Sequence, residues 1–215
     1  MFKVYRRDQS RPEEIANSIS HGFALVAALA GSPYLVIRAN RHGDATFVIA
    51  TSIFAVTILI LYLASTLYHA LPNGRVKQVF HLIEQSAIFL MIAGTYTPFT
   101  LGVLRGPWGW TLFWVIWGLA AAGVAMKGLA KRRHPIFFTT LYLLMGWLVL
   151  VALKPLLTLV PTAGFLWLLA GGLSYTAGVI FFATDSQLRF GHLVWHLFVM
   201  AGTTCHYFAV LWYAA

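Results

Sequence analysis

ATFVIATSIFAVTILILYLASTLYHA, residues 45–70, runs for 26 residues without an Asp, Glu, Lys or Arg. As an α-helix rising about 1.5 Å per residue it would measure about 39 Å. That exceeds the roughly 30 Å hydrocarbon core of a bilayer. Within lipid a helix satisfies every backbone donor and acceptor inside its own segment. The stretch therefore reads as a transmembrane span, and its neighbours show whether it stands alone.

It does not. Comparable apolar stretches occupy residues 15–37, 80–103, 108–126, 136–153, 163–183 and 192–213. Between them lie RANRHGD, LPNGRVKQ, LRGP, KGLAKRRHP, KPLLTLVP and TDSQLRFG. The chain has 215 residues, of which 60% are hydrophobic and 10% charged; a soluble domain carries roughly 25% charged residues. The sequence thus predicts an all-α, seven-transmembrane helix bundle, a single integral membrane domain over residues 1–215. GGLSYTAG, residues 171–178, reads as small-residue helix packing. No tandem repeat or nucleotide-binding glycine pattern is present.

The formal net charge is +9. On a soluble chain that would suggest nucleic acid. Here the basic residues fall between apolar segments, so no nucleic-acid partner is expected and membrane lipids are. Lys3, Arg6, Arg7, Arg11, Arg75, Lys77, Lys127, Lys131, Arg132, Arg133 and Arg189 lie on one side; Arg38, Arg41, Arg105 and Lys154 lie on the other. The positive-inside rule then puts the N-terminus in the cytoplasm and the C-terminus outside. MFKVYRRDQSRPEEIANSISHG lacks a compact apolar region with a small-residue cleavage site, so no removable signal peptide is expected. Cys205 is the single cysteine, which excludes an internal disulfide and a thiolate metal cluster.

That topology places unusual polar residues at one depth. Ser65 and His69 end the second span, Glu84 begins the third, and His192 and His196 begin the seventh. Glu14, Asn17 and His21 recur near the start of the first. Residues three or four apart share a helix face, and ionisable groups inside a membrane are expensive unless they pair or work. Two histidines one turn apart can give nitrogens to one tetrahedral ion, and His69 can give a third. Three protein ligands with an open position is the usual layout of a catalytic zinc site. Glu84 can be a fourth ligand, or can hold and deprotonate the water; Ser65 can orient that water or an oxyanion. Zn2+ makes hydroxide available near neutral pH. A hydrogen-bonded network that only stabilises the bundle is the competing reading. His21 is expected to support the site or to pack, with Glu14 and Asn17 as local partners. His206, ten residues past His196 and roughly 15 Å further along a helix, is too deep to join the same ion.

The residues that carry these readings resemble the haemolysin III family, the bacterial branch of the progestin and adiponectin receptor-like membrane proteins. EEIANSISHG at 13–22 is similar to its first motif, STLYH at 65–69 with IEQSAIFLMIAGTYTP at 83–98 to its second, and HLVWH at 192–196 to its third. AGTTCHYFAV follows at 201–210. The resemblance implies a seven-helix fold in the bacterial cytoplasmic (inner) membrane, with zinc held by His69, His192 and His196 near the cytoplasmic face. It also implies a serine at Ser65 and an aspartate where this chain has Glu84, one methylene longer. Animal relatives are linked to hydrolysis of ceramide-like amides, and bacterial members to membrane lipid homeostasis. Three functions follow as expectations. The first is a zinc-dependent hydrolase of lipid amide or ester bonds, with Glu84 as general base and Ser65 beside it. The second is a non-enzymatic sensor or regulator with zinc as a structural clasp. The third, a pore or transporter, has less support because the polar residues cluster instead of lining a path.

Overall fold

A computed structural model describes residues 8–129 and 135–215. Lys3, Arg6, Arg7, Lys131, Arg132 and Arg133 of the charge reading lie outside the described residues. The elements are α1 (Arg11–His42), α2 (Ala45–Ala70), α3 (Arg75–Leu101), α4 (Pro107–Leu129), α5 (Pro135–Trp147), a 3-10 stretch (Leu148–Ala152), α6 (Leu153–Leu159), α7 (Thr162–Thr184) and α8 (Gly191–Tyr213). Seven helical segments among the described residues are long and apolar enough to cross a membrane. The fifth combines α5, the 3-10 stretch and α6 as residues 136–159.

KPLLTLVP differs from its sequence reading as a segment between spans. Helix runs through it to Leu159, six residues past the expected end. Pro155 falls in the first turn of α6, where its missing N–H has no intrahelical partner to lose. The α-helix is instead interrupted by the 3-10 stretch. Tyr96 covers the loosened backbone there: its hydroxyl lies 2.8 Å from the Met145 carbonyl and 2.9 Å from that of Gly146, and it accepts from Val149 N–H at 2.9 Å. Irregular backbone at membrane depth is tolerated where protein satisfies it in this way.

Consecutive helices from α1 to α4 pack as neighbours, α7 lies against α8, and α8 returns to α1; α5 touches α3, α4 and α7. One apolar core joins α1, α2, α3 and α8 around Leu35, Phe54, Ile58 and Met91. A second, around Phe89, Ile116, Phe138 and Met145, joins α3, α4 and α5. The outward faces are apolar too: Phe23, Val26, Leu144 and Ile180 are exposed, Phe23 by 70%. Such a surface belongs in lipid. Trp114 faces outward, whereas Trp117 packs inward and donates to Thr97 Oγ1 at 3.1 Å.

The glycines of GGLSYTAG do pack helices. Gly164, Gly171 and Gly178, seven apart on α7, all face α8, and a Cβ on Gly178 would stand 2.7 Å from Phe198 Cβ. A Cβ on Gly171 would strike the His206 ring. We expect Gly171→Ala to lower the detergent melting temperature, with overpacking costing about 1–3 kcal/mol.

At the end of the bundle away from the histidines, Asp44 caps α2 by accepting from Phe47 N–H at 2.9 Å. It also takes a two-pronged pair from Arg105, at 2.5 and 2.9 Å. The Arg105 guanidinium, with the Phe47 N–H, holds the Asp44 carboxyl well below the usual carboxylate range. A depressed native pKa contributes stability that is present above the unfolded value, about 3.9, and is lost as pH falls through the native one. The gap in melting temperature between the parent and Asp44→Asn should therefore narrow from pH 7 towards acid. It should also narrow with added salt, since the pair is exposed.

Candidate metal centre

STLYH closes α2 and HLVWH opens α8, so each helix brings a polar pair one turn apart to the same end of the bundle. His69 is 3% exposed and His196 1%; His192 is half-buried. One nitrogen from each lies within 4.8 Å of the others. The ring centroids of His192 and His196 are 4.8 Å apart, and those of His69 and His196 5.0 Å.

The entry to α8 sets this meeting. Phe190 has φ 60, a left-handed conformation that bulky residues rarely adopt. Its N–H donates to Glu13 Oε1 at 2.9 Å. The other oxygen of Glu13 accepts from the Ser10 N–H at 2.9 Å and the Ser10 hydroxyl at 2.6 Å. The capping box at the start of α1 thus also anchors the turn that aims His192.

Hydrogen-bond chemistry fixes which nitrogen each histidine offers. His69 Nδ1 lies 2.7 Å from Glu14 Oε2, and His192 Nδ1 lies 3.2 Å from Asp185 Oδ2. An ionised carboxylate only accepts, so both Nδ1 atoms carry the proton. His196 Nδ1 lies 3.0 Å from Ser20 Oγ. The Ser20 hydroxyl gives its proton to the Asn17 carbonyl at 2.8 Å, so here too the histidine donates. The three Nε2 lone pairs are left for a ligand. Histidines that ligate metals characteristically spend the other nitrogen in this way.

His69 Nε2 is buried and has no hydrogen-bond partner. Across 3.8 Å it faces Glu84 Oε1. Two acceptors confronting each other in a buried place are repulsive until a cation or a donor lies between them. The residues present therefore fit a divalent metal, and a +2 ion would balance the carboxylates of Glu84 and Asp185. Glu14 is already balanced, since its Oε1 lies 2.9 Å from Lys77 Nζ.

Ser65 joins Glu84 to His21. Its hydroxyl donates to Glu84 Oε1 at 2.6 Å and accepts from His21 Nδ1 at 2.7 Å. The His21 ring stacks on His196 with centroids 3.5 Å apart and planes 6° from parallel. His21 Nε2 is buried without a hydrogen-bond partner.

The sequence reading needs correcting around this centre. Glu14 and Asn17 are not the partners of the His21 side chain. Glu14 reaches α2 and α3, and Asn17 Nδ2 donates to Gln9 Oε1 at 2.6 Å. Shared helical spacing put the three on one face, but each points at a different neighbour. Lys77, read as one of the basic residues between spans, is 8% exposed and donates to the Tyr68 and Leu71 carbonyls at the end of α2. His206 stands apart, its Nε2 3.2 Å from the Leu168 carbonyl. Glu13, Ser20 and Asp185 were missed. Only Glu13 left a usable signal, the S-x-x-E spacing of Ser10 and Glu13.

Comparison with known proteins then decides the family. The model of haemolysin-III-related proteins matches residues 9–207. The chain belongs to that family. It is 44% identical to Hemolysin-3 of Bacillus cereus over 211 residues, covering 98% of this chain and 96% of that protein. It is 41% identical to the Hemolysin-3 homolog of Bacillus subtilis (strain 168), covering 94% of both. The human monocyte to macrophage differentiation factor is 30% identical over 92% of this chain and 83% of its own length. No solved structure matches. This haemolysin-III family member is a multi-pass membrane protein, in keeping with the bacterial inner-membrane members.

Proposed function

We propose that this haemolysin-III family member is a zinc-dependent hydrolase of lipid amide or ester bonds, working at the cytoplasmic face of the membrane. The observation that carries the reading is that one nitrogen from each of His69, His192 and His196 lies within 4.8 Å of the others, with Glu84 3.8 Å from His69 Nε2. His69, His192 and His196 would hold the ion, and Zn2+ when bound supplies a Lewis acid for the scissile carbonyl. Glu84 takes a proton from the attacking water, a general-base role. Ser65 holds the Glu84 carboxylate in place, and His21 fixes the direction in which Ser65 donates. The substrate carbonyl arrives from the bilayer or through the opening at the histidine end. The cytoplasmic placement rests on the eleven-to-four division of basic residues read from the sequence.

Purified protein incubated with defined bilayer lipids, with and without a chelator, tests this. Chelator-sensitive release of a fatty acid is the expected result. Stoichiometric zinc without turnover across amide- and ester-linked lipids would overturn it.

A second reading has its own support. The hydrogen bonds of the three histidines reach α1 and the turn after α7, so an ion there would clasp helices whether or not it catalysed anything. On that reading the protein is a membrane sensor or regulator. Its mark would be a large loss of melting temperature on zinc removal, with no lipid turnover.

A further inference from the structure

A cavity lies at the opposite end of the bundle. Arg38 is seventeen residues beyond His21 on α1, roughly 25 Å along the axis at helical rise. There Arg38, His42, Thr51, Trp212 and apolar side chains including Leu35 and Phe47 line a cavity of about 220 Å³. Two of these groups are chemically unfinished.

Arg38 is half-buried and spends only its Nε, which donates to the Leu211 carbonyl at 3.1 Å. Among the described residues no carboxylate pairs with its guanidinium, and the nearby Asp44 is held by Arg105. Thr51 is 1% exposed, yet its hydroxyl has no partner. Thr57, Thr66, Thr97, Thr100 and Thr203 each close onto a carbonyl three or four residues back. Thr51 does not. A buried hydroxyl without a partner costs about 1–3 kcal/mol, which a ligand oxygen would relieve.

We propose that this cavity binds the anionic head of a membrane amphiphile. Arg38 would give its terminal N–H groups to a phosphate or carboxylate oxygen, Thr51 its hydroxyl, while the acyl chain stays in the bilayer. The two free guanidinium nitrogens suit an oxyanion's paired oxygens. Size agrees: whole-ligand pockets run to roughly 300–1,000 Å³, so this one takes a head and not a full lipid. The site owes nothing to the metal centre.

Native mass spectrometry of the full chain, released from phosphatidylcholine vesicles doped with phosphatidylglycerol or oleate, reads occupancy directly. Inorganic phosphate forms a third arm. One retained anionic amphiphile is expected for the parent. Arg38→Gln should weaken it by about tenfold or more, the scale of a hydrogen bond to a charged group. Arg38→Lys should be intermediate, because lysine keeps the charge and loses the fork. Thr51→Val, which leaves the Leu211 contact alone, should weaken binding several-fold. Lys154→Gln controls for general surface attraction and should change nothing. Retention unaffected by Arg38→Gln and Thr51→Val would overturn the proposal. So would equal losses from Arg38→Gln and Lys154→Gln, or binding of inorganic phosphate alone.

Discussion

Replacing His69 with alanine should strip the protein of tightly held zinc. His69 gives the Nε2 that is buried without a partner, and it belongs to the α2 wall of the cluster. Losing a residue that merely orients a ligand costs about 10–100-fold in metal affinity, so losing the ligand itself should cost more. Glu14→Gln, which weakens the acceptor 2.7 Å from His69 Nδ1, should fall in that 10–100-fold range. Competition against a chromophoric chelator, with elemental analysis of the purified protein, reads both. His206→Ala should leave affinity unchanged, because His206 packs against α7 away from the cluster. Melting temperatures taken with and without zinc separate the two functional readings. A clasp predicts that His69→Ala melts far below the zinc-loaded parent. A catalytic site predicts that metal and turnover go while the melting temperature moves little.

Glu84→Gln should separate binding from chemistry. The amide keeps the size of the side chain and its bond with Ser65 but cannot take a proton. Lipid hydrolysis should fall by about 10²–10⁴-fold, the usual worth of a general base, with zinc content retained. If zinc is lost in parallel, Glu84 is a ligand and the assignment of the base fails. Glu84→Asp restores the residue that the family resemblance leads one to expect at this position. It should keep measurable turnover, because the 3.8 Å between Glu84 Oε1 and His69 Nε2 allows the carboxylate to act through an intervening atom.

Ser65 also separates the roles. It is fully buried between Glu84 and His21. Ser65→Ala leaves His69, His192 and His196 in place, so zinc affinity should hold. Turnover should fall and Km change little, since what is lost is the hold on the carboxylate. Turnover and zinc titration on one preparation check this.

Membrane architecture was legible in the sequence because it depends on composition over long windows. A 26-residue run without an Asp, Glu, Lys or Arg has few alternatives to a bilayer. The histidines were legible because one-turn spacing at a helix end is a local property, and the family motifs pointed to the same three. What the sequence misjudged was the breadth of hydrogen bonding between helices. Lys77 read as a loop charge, yet it folds back against α2 and Glu14, where it neutralises a half-buried carboxylate. KPLLTLVP read as lying between spans, but a proline in the first helical turn gives up no hydrogen bond.

By itself, then, the sequence determined a membrane-spanning helical protein with a histidine-rich end, because hydropathy and i,i+4 spacing need no partner to be read. Tertiary structure decided which groups meet. Only packing brings Glu14 to His69, Ser20 to His196 and Asp185 to His192, and so occupies the Nδ1 of each histidine while the three rings gather at one place. It likewise left Arg38 and Thr51 among the residues that line a cavity at the other end. The reason is that a proton's position on an imidazole, or a hydroxyl's lack of a partner, is a property of neighbours far apart in the chain.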